Sequence, residues 1–262
     1  MAEVSKVPSI FACPHCMLAF TSTSAGVMCP NGHSFDRARE GYLNLLIGGR
    51  IAGDTVPGDT PASLAARRRF LSTGAYQPIA DALAKVVEEI DGAVLDVGCG
   101  EGYYLSHIRS PKKFGIDIAK QGIRMASKSF SEAQFAVANA FRLPVLDASC
   151  DAVFSVFAPH SHEEFQRVLA PCGQWVTISP GSHHLQQMRP KRDVDIVERE
   201  KRRDQPPDHA VHAQRIQFDL ELSDESAQDL FSMTPLIWQT AADAAPTTHV
   251  SVDVWVASGF KS

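Results

Sequence analysis

The chain has 262 residues, of which 44% are hydrophobic, and it carries 25 Lys and Arg against 30 Asp and Glu, a net charge of −5. This length accommodates one large domain and one small module. No apolar run approaches the roughly 20 residues of a membrane helix, and the first ten residues lack the apolar stretch of a secretory signal. The composition therefore excludes a membrane protein, indicates a cytoplasmic one, and offers no overall basic charge for nucleic acid.

The N-terminal segment, residues 1–46, is rich in Cys, His and turn-forming residues. Cys13-Pro-His-Cys16 is followed, after twelve residues, by Cys29-Pro-Asn-Gly-His33. Structural zinc takes four thiolate or imidazole ligands, and ligands two or three residues apart can share one tight turn. A segment this short can hardly bury a core without a metal. We predict a structural Zn²⁺ site made by four side chains, with a redox dithiol as the weaker alternative: Cys13, Cys16, Cys29 and His33.

Residues 47–62 separate this module from the rest of the chain. Their first fifteen residues include four Gly and two Pro, a composition typical of a linker or an ordered loop. Apolar residues at helical spacing follow over residues 63–90, with a break at Gly74. We therefore predict a zinc-binding module over 1–46, a linker over 47–62 and a larger domain over 63–262.

Apolar strands alternate with helical segments from Ala93 onward. Such alternation predicts a parallel sheet covered by helices on both faces. Two later strands that flank one helix would complete the sheet with an antiparallel edge. The predicted class is α/β, with a Rossmann-like sheet of seven strands. The predicted strands are 93–98, 112–118, 133–139, 151–159, 173–180, 215–222 and 248–258.

A glycine-rich loop follows the first of these strands. Gly98, Gly100 and Gly102 alternate with other residues after Asp96, and closely spaced glycines let a backbone approach a ligand at the end of a strand. The spacing is G-x-G-x-G and not the G-x-G-x-x-G of dinucleotide binders. An acid nineteen residues beyond Gly98, Asp117, ends the next strand and can accept ribose hydroxyls. Asn139 and Ala140 follow the third strand, where an adenine would lie. We predict an S-adenosylmethionine site, with a nicotinamide cofactor as the alternative.

Taken together, these motifs resemble the 23S rRNA (guanine-N1)-methyltransferases of the RlmA type, and the resemblance covers nearly the whole chain. It rests on the zinc-ligand spacing and on several strings that are unusual elsewhere: GHSFDRAREGYLNLL (32–46), GDT with ARRRFL and GAYQP (58–78), VLDVGCGEGYY (94–104), FGIDIAK (114–120), RLP (142–144), FAP (157–159), PGSHHL (180–185) and MTPLIW (233–238). Residues 189–213 match no family pattern.

The resemblance implies a class I methyltransferase fold, zinc held by the four predicted ligands, and a hairpin loop of 23S rRNA as partner. A homodimer is compatible with this organisation. The resemblance also implies cofactor contacts from four residues, of which the roles of the first and last cannot be derived from spacing: Tyr76, Gly100, Glu101 and His184.

Catalysis at guanine N1 requires a group that accepts the N1 proton, and it requires that N1, the methyl carbon and the sulfur lie in line. Phe157 is a candidate for stacking on the base, although core packing is an equal alternative, and His160 and His162 are candidate proton acceptors. The sequence identifies no catalytic base. Phosphate contacts are expected from a group of arginines: Arg37, Arg39 and Arg67–Arg69.

Two other functions remain open at this point. In one, a methyltransferase of this fold acts on a small molecule and the zinc module is a lid or a dimerisation element. In the other, the chain is an RNA-binding protein whose cofactor loop is a relic. The intact glycine loop and Asp117 count against the relic. The zinc module and the basic residues argue against a small-molecule substrate.

Overall fold

The computed structural model describes residues 9–47, 60–88, 90–189, 203–234 and 245–262. The predicted linker between residues 48 and 59, residues 190–202 of the unmatched segment, and residues 235–238 of MTPLIW lie outside these ranges. The chain divides into two compact units. The first comprises residues 1–58, 84–175 and 260–262, and the second comprises residues 59–83 and 176–259.

The strands of the described chain are numbered in order: β1 (Thr21–Ser22), β2 (Gly26–Met28), β3 (Ser34–Asp36), β4 (Leu43–Asn44), β5 (Ala93–Val97), β6 (Lys112–Asp117), β7 (Ala133–Val137), β8 (Cys150–Val156), β9 (Leu169–Pro180), β10 (His212–Glu221) and β11 (His249–Phe260). The α-helices are α1 (Pro61–Ser72), α2 (Gln77–Val86), α3 (Tyr103–Ser106), α4 (Lys120–Ser129), α5 (His162–Val168) and α6 (Asp224–Ser232). Within the described ranges, no helix has the length and apolar character needed to cross a membrane.

Parallel strands form the centre of the first unit, in the order β8–β5–β6–β7–β4. All five residues of β5 are buried, which fits a strand covered on both faces and explains its continuous apolar run. The seven predicted strands are present as β5–β11. A further strand, β4, lies beside β7 and was not predicted, because two residues carry no periodicity.

The N-terminal module belongs to the first unit. Its strands β1, β2 and β3 form a small antiparallel sheet. Its flanks bond to the strand region after β7: the Ala12 N–H donates to the Pro144 carbonyl at 2.8 Å, and the Leu146 N–H donates to the Ile10 carbonyl at 2.9 Å. Phe11 and Leu43, each 2% exposed, are buried in the core of this unit. The module and the sheet therefore share one core.

Two side chains of α5 also form hydrogen bonds with the loop after β7. The Arg167 guanidinium donates to the carbonyls of Leu143 and Val145, each at 2.8 Å. Glu164 accepts the Leu143 N–H at 2.7 Å and pairs with Arg167. Because the same loop bonds to residues 10–12, the N-terminal module rests on a segment whose backbone is fixed by side chains.

The second unit contains β10, β11 up to Gly259 and β9 from Val176 onward, in the order β10–β11–β9, with β10 and β11 antiparallel. Ten residue pairs join β10 and β11, from His212 opposite Ser258 to Glu221 opposite His249. Helices α1 and α6 pack together in this unit. Each begins at a hydroxyl cap, Thr60 for α1 and Ser223 for α6, which satisfies a backbone N–H of the first turn.

An ion pair joins these two helices. The Arg69 Nε donates to Asp229 Oδ2 at 2.9 Å, and the Asp229 side chain is 8% exposed. We expect Arg69→Ala to lower the free energy of unfolding by about 1–3 kcal/mol, because it leaves a buried carboxylate without its charged donor. Denaturant unfolding measures this change. Arg68→Ala is the control, since Arg68 is exposed on the same helix, and it should change stability by less than about 0.5 kcal/mol. Equal effects of the two substitutions would contradict the structural role of the pair.

Candidate active site and metal centre

The four predicted zinc ligands come together in the first unit. Their ligand atoms, three Sγ and one His33 imidazole nitrogen, all lie within 4.8 Å of one another. The His33 Nδ1 lies 3.5 Å from Cys13 Sγ and 3.3 Å from Cys29 Sγ, and Cys16 Sγ lies 3.6 Å from Cys29 Sγ. Tetrahedral zinc with bonds of about 2.3 Å to sulfur separates its ligands by roughly 3.7 Å. The donor set and its spacing therefore fit zinc.

Local backbone geometry explains why these ligands meet. The Met17 N–H donates to the Cys13 carbonyl at 2.7 Å, and the Gly32 N–H donates to the Cys29 carbonyl at 2.9 Å, so each ligand pair sits on one turn. Burial opposes ionisation of Cys29, but hydrogen bonds from the backbone of His33 and the thiol of Cys16 outweigh it and lower its pKa to about 6. The thiolate form that binds metal is thereby favoured.

His15 lies outside the ligand set and on the surface. Its ring contacts the ring of His33, with centroids 4.8 Å apart, and stacks on Phe35 at 6.1 Å. With four ligands and no further donor in the described cluster, the site has the closed form of a structural centre.

The glycine loop turns sharply between β5 and α3. Gly98, Gly100 and Gly102 have φ values of +83°, +54° and +87°, which only glycine adopts readily. The N–H groups of Gly98 and Cys99 both donate to the Ile116 carbonyl at 2.9 Å, and the Gly100 N–H donates to Asp117 Oδ2 at 2.8 Å. The loop thus closes over the ends of β5 and β6 with its backbone facing Asp117.

Three carboxyl groups surround this loop. Asp96 is 2% exposed and Glu101 is 7% exposed. Burial, and then the neighbouring charges of Asp117 and Glu101, hold the pKa of Asp96 well above its usual value. Asp96 Oδ2 is buried and accepts no hydrogen bond from the described part of the chain. Neighbouring carboxyl groups that oppose one another's ionisation, one of them with an oxygen that accepts no hydrogen bond, suit a ligand that brings positive charge or hydroxyl donors.

Residues Asn139 and Ala140 lie at the same edge as Asp117, because β7 runs parallel to β6 and the Ala138 N–H donates to the Asp117 carbonyl at 3.0 Å. The Asn139 side chain accepts the Phe141 N–H at 2.8 Å and so shapes its own turn. Phe141 is 59% exposed. The first unit therefore brings the glycine loop, Asp117 and Asn139 to one edge of its sheet.

Tyr76 and His184 belong to the second unit. Both are buried, and their ring centroids lie 6.4 Å apart. The His184 Nδ1 accepts the Asp253 N–H at 3.3 Å. Burial, and then the guanidinium of Arg189, lower the pKa of His184 to about 3, so the ring is neutral at pH 7. Burial raises the pKa of Tyr76 well above its usual value, and its hydroxyl stays protonated.

The segment after β8 carries the three candidate substrate residues. Phe157 is 39% exposed with a φ of +55°, a conformation that is strained for a bulky side chain and often marks functional loops. The His160 ring stacks on Phe165 at 5.0 Å, with its Nδ1 3.2 Å from the Ala158 carbonyl. That contact places the proton on Nδ1 and leaves Nε2 as an acceptor. His162 packs edge-on against Trp175.

The sequence analysis assigned no role to two buried acidic residues, Asp96 and Asp253. Asp96 belongs to the quoted glycine motif, and its position inside an apolar strand was the available signal. Asp253 stands in the otherwise apolar strand β11 and is 1% exposed. Charged residues are seldom buried unless paired, so an acid at an inward strand position predicts a partner, although the sequence does not reveal which one.

Comparisons with known proteins match both the zinc-binding segment and the methyltransferase segment of the chain. Residues 11–47 match the family model described as "RlmA, N-terminal", a zinc ribbon, and residues 95–178 match a methyltransferase domain. The 23S rRNA (guanine(748)-N(1))-methyltransferase of Streptomyces fradiae is 30% identical over 251 residues, covering 88% of this chain and 86% of that protein. A protein of Micromonospora griseorubida, provisionally named a 23S rRNA (guanine-N1)-methyltransferase, is 32% identical over 265 residues, with coverages of 87% and 86%.

Among solved structures, the YcgJ protein of Bacillus subtilis is 17% identical, with a TM-score of 0.44 over 70% of this chain and 97% of that chain.

The metal centre predicts a measurable zinc content. We expect about one zinc per chain by elemental analysis, and Cys29→Ser should release the metal and lower the melting temperature, since metal binding contributes folding free energy. The loss of stability should reach the sheet, because residues 10–12 and 43–45 pack into the first unit. Cys172→Ser is the control, as Cys172 is exposed and outside the cluster. Wild-type zinc content in the Cys29 variant would contradict the assignment.

Proposed function

Since the chain belongs to the family of 23S rRNA (guanine-N1)-methyltransferases, we propose that it methylates N1 of a guanine in a hairpin loop of 23S rRNA. The observation that carries this proposal is the combination, in one chain, of the RlmA-type zinc ribbon and a methyltransferase domain, with identity to such enzymes over most of their length. The fold is the class I methyltransferase fold with an N-terminal zinc ribbon. An rRNA substrate is the basis for proposing a cytoplasmic location.

The cofactor of this family is S-adenosylmethionine, which supplies an electrophilic methyl group on a positively charged sulfur. The residues around the glycine loop fit it. The carboxyl groups of Asp96 and Glu101, which are buried, and of Asp117, which is half-buried, repel one another, and a cationic ligand relieves that repulsion. We propose that the loop backbone and Glu101 hold the amino-acid end. We propose that Asp117, which ends β6 and whose carboxylate accepts the N–H groups of Gly100 and Ala119, contacts the ribose hydroxyls.

The remaining cofactor contacts are proposed from position and from the family resemblance. Asn139 and Ala140 follow β7 beside Asp117 and would meet the adenine. Tyr76 and His184 are assigned by the resemblance, and their burial and neutral rings fit contacts with an apolar part of a ligand. Gly98 and Gly102 shape the loop.

The zinc ribbon is proposed to contact the RNA. Phosphate contacts position an RNA without specifying its sequence. Of the arginines expected to make them, Arg39 and Arg68 are exposed. Arg69 is committed to Asp229, and the Arg37 guanidinium donates to the Gly41 carbonyl at 2.8 Å. Because of their exposure, we propose that Arg39 and Arg68 take part in phosphate binding.

A flipped base is required because the N1 edge is inaccessible in a stacked helix. The exposed ring of Phe157, held in a strained conformation at the end of β8, is proposed to stack on the target guanine. His160 keeps Nε2 as a possible acceptor of a proton, whereas His162 lies with its Nε2 3.3 Å from the Gln166 amide nitrogen.

The decisive measurement is the modification state of rRNA. Mass spectrometry of 23S rRNA fragments should show an N1-methylguanine that disappears from a strain lacking the gene, and the purified enzyme with S-adenosylmethionine should restore it. If the purified enzyme leaves the rRNA of that strain unmethylated but methylates a small metabolite, the result would favour the small-molecule alternative.

Light scattering of the purified protein checks the predicted homodimer.

Gly98 provides a sharp test of cofactor binding. A Cβ atom there would lie 2.3 Å from the Cβ of Ala158, so Gly98→Ala must displace the loop. We expect its affinity for S-adenosylmethionine, measured by calorimetry, to fall roughly tenfold or more, a loss of about 1.4 kcal/mol. Gly41→Ala is the matched control, because Gly41 also has a positive φ of +98° but no atom within 4 Å of its added Cβ. Unchanged affinity in the Gly98 variant would refute the loop's role.

A further inference from the structure

An exposed aromatic ring stands on the turn after β7, which is formed by residues 139–142. Phe141 is 59% exposed, although phenylalanine is among the residues most often buried in a core. The Asn139 side chain accepts the Phe141 N–H at 2.8 Å, and the Arg142 N–H donates to the Asn139 carbonyl at 3.3 Å. These bonds fix the backbone in a conformation that leaves the ring in solvent.

The turn rests on a rigid segment. Leu143 and Val145, which follow it, are both 0% exposed. The Arg167 guanidinium binds the carbonyls of these two residues, and the Pro144 carbonyl between them accepts the Ala12 N–H. A contact residue carried on a fixed backbone loses less conformational freedom when a ligand binds. The ring of Phe141 is therefore well supported as a binding group.

Phe141 lies at the edge of the sheet that carries the glycine loop. Strands β7, β6, β5 and β8 are parallel, so the turn after β7 and the segment after β8, which carries Phe157, leave the sheet at this same edge. Three strand spacings separate β7 from β8, a distance of about 14 Å. A ring and a base that stack have their centroids within about 7 Å of each other. Rings that extend from strand ends so far apart suit different nucleotides of one RNA.

Two cationic side chains accompany the ring at this edge. Arg142 follows Phe141 in the turn, and Lys120 begins α4 shortly after the end of β6, the neighbour of β7. Both are exposed, and neither forms a hydrogen bond or an ion pair with the part of the chain that the structure describes. By contrast, Arg124 further along α4 pairs with Glu40 at 2.7 Å. Positive charge is thus available for a ligand beside the exposed ring.

An exposed ring beside unpaired cations is the pattern by which proteins bind single-stranded nucleic acid. A base stacks on the ring, and the cations attract the neighbouring phosphates. Such stacking adds affinity without selecting one base, because every base has a face that can stack. A single exposed hydrophobic residue is ordinary on a protein surface, but Phe141 stands beside unpaired charge at the edge that the RNA must approach.

We propose that Phe141, Arg142 and Lys120 bind an unpaired nucleotide of the substrate hairpin loop other than the methylated guanine. The base stacks on Phe141, and the two cations bind the flanking phosphates. The inference rests on the proposed function, in which the target guanine itself stacks on Phe157. The turn is also close to the zinc ribbon, because the loop that follows it bonds to residues 10–12. An RNA held by the ribbon would meet this turn on its way to the cofactor.

The first test compares Phe141→Ala and Phe141→Trp with the control Phe260→Ala. Phe260 is also exposed, at 49%, and belongs to the same unit. The next residue, Lys261, donates its N–H to the Gly173 carbonyl at 2.8 Å, and a Cβ at Gly173 would lie 3.1 Å from the carbonyl oxygen of Cys150, the first residue of β8. The control therefore lies near the opposite end of β8 from the proposed RNA contacts.

We expect Phe141→Ala to raise the KM for the rRNA hairpin transcript about tenfold or more. Its kcat, melting temperature and affinity for S-adenosylmethionine should stay unchanged, because the variant removes binding that the ground state and the transition state share. Phe141→Trp should restore the wild-type KM, and Phe260→Ala should keep it. A wild-type KM in Phe141→Ala, a loss of kcat alone, or weaker binding of S-adenosylmethionine would overturn the inference.

The salt dependence of RNA binding tests the cations. Loss of one phosphate contact to a single strand makes the plot of the logarithm of the binding constant against the logarithm of salt concentration less steep by about 0.7, and we expect this change for Arg142→Gln and for Lys120→Gln. Arg109→Gln is the matched control, since Arg109 is exposed, has no partner in the described ranges, and precedes the other end of β6. Wild-type slopes in the first two variants, or an equal change in the control, would contradict phosphate binding.

A single-stranded RNA unrelated to rRNA separates this inference from the proposed function. We expect the wild-type protein to quench the fluorescence of 2-aminopurine in such an RNA, since the base stacks on the ring, and Phe141→Ala to quench it much less. Quenching of this kind without methylation of rRNA would refute the proposed function and keep the binding site. Methylation of rRNA together with equal quenching by the wild type and Phe141→Ala would refute the binding site alone.

Discussion

The hydrogen bond from the Gly100 N–H to the Asp117 carboxylate joins the ends of two neighbouring strands, β5 and β6. The geometry of the cofactor edge, the edge of the sheet that carries the glycine loop, Asp117 and Asn139, depends on it. It requires a backbone that approaches a side chain closely, which the positive φ values of the loop allow. Helix α4 packs as closely on the other side, since a Cβ at Gly122 would lie 2.9 Å from the Gly100 carbonyl oxygen. The loop therefore has little freedom to take another shape, and the buried acids beside it are held near one another despite their mutual repulsion.

The zinc ribbon is an integral part of the first unit. A metal that only stabilised an independent module would affect that module alone, yet residues 10–12 bond to the loop after β7 and β4 extends the sheet beside the same strand. The loop contacted in this way follows Asn139, a proposed adenine contact. The metal centre and the cofactor edge are thus connected through a single strand and its loop, which gives the ribbon a structural role in the methyltransferase unit in addition to any contact with RNA.

The sequence was most informative where a structural requirement falls on residues that are close together in the chain. The buried strands β5–β8 were predictable because strands covered on both faces must be continuously apolar, and the zinc ligands were predictable because a tetrahedral site needs paired ligands on tight turns. The cofactor roles of Tyr76 and His184 were predicted only through the family resemblance, since a tyrosine beside a helix and a histidine after a strand have no distinctive spacing, and they stay predictions. The partner of Asp253, Arg215, lies 38 residues away, and no local pattern connects them. The two-residue β4 is defined by its neighbour β7 and not by its own composition.

The bonds between residues 10–12 and residues 144–146 also have a consequence for the order of folding. All four zinc ligands lie between residues 13 and 33, so the metal site can close as soon as that short segment leaves the ribosome. Its supporting surface, however, consists of β7 and the following loop, which are synthesised about a hundred residues later. Since chains fold during synthesis from the N-terminus, the ribbon spends that interval with the apolar side chains of Phe11 and Leu43 uncovered. Early metal binding would keep the ribbon compact until β7 is synthesised and would limit the aggregation of the nascent chain.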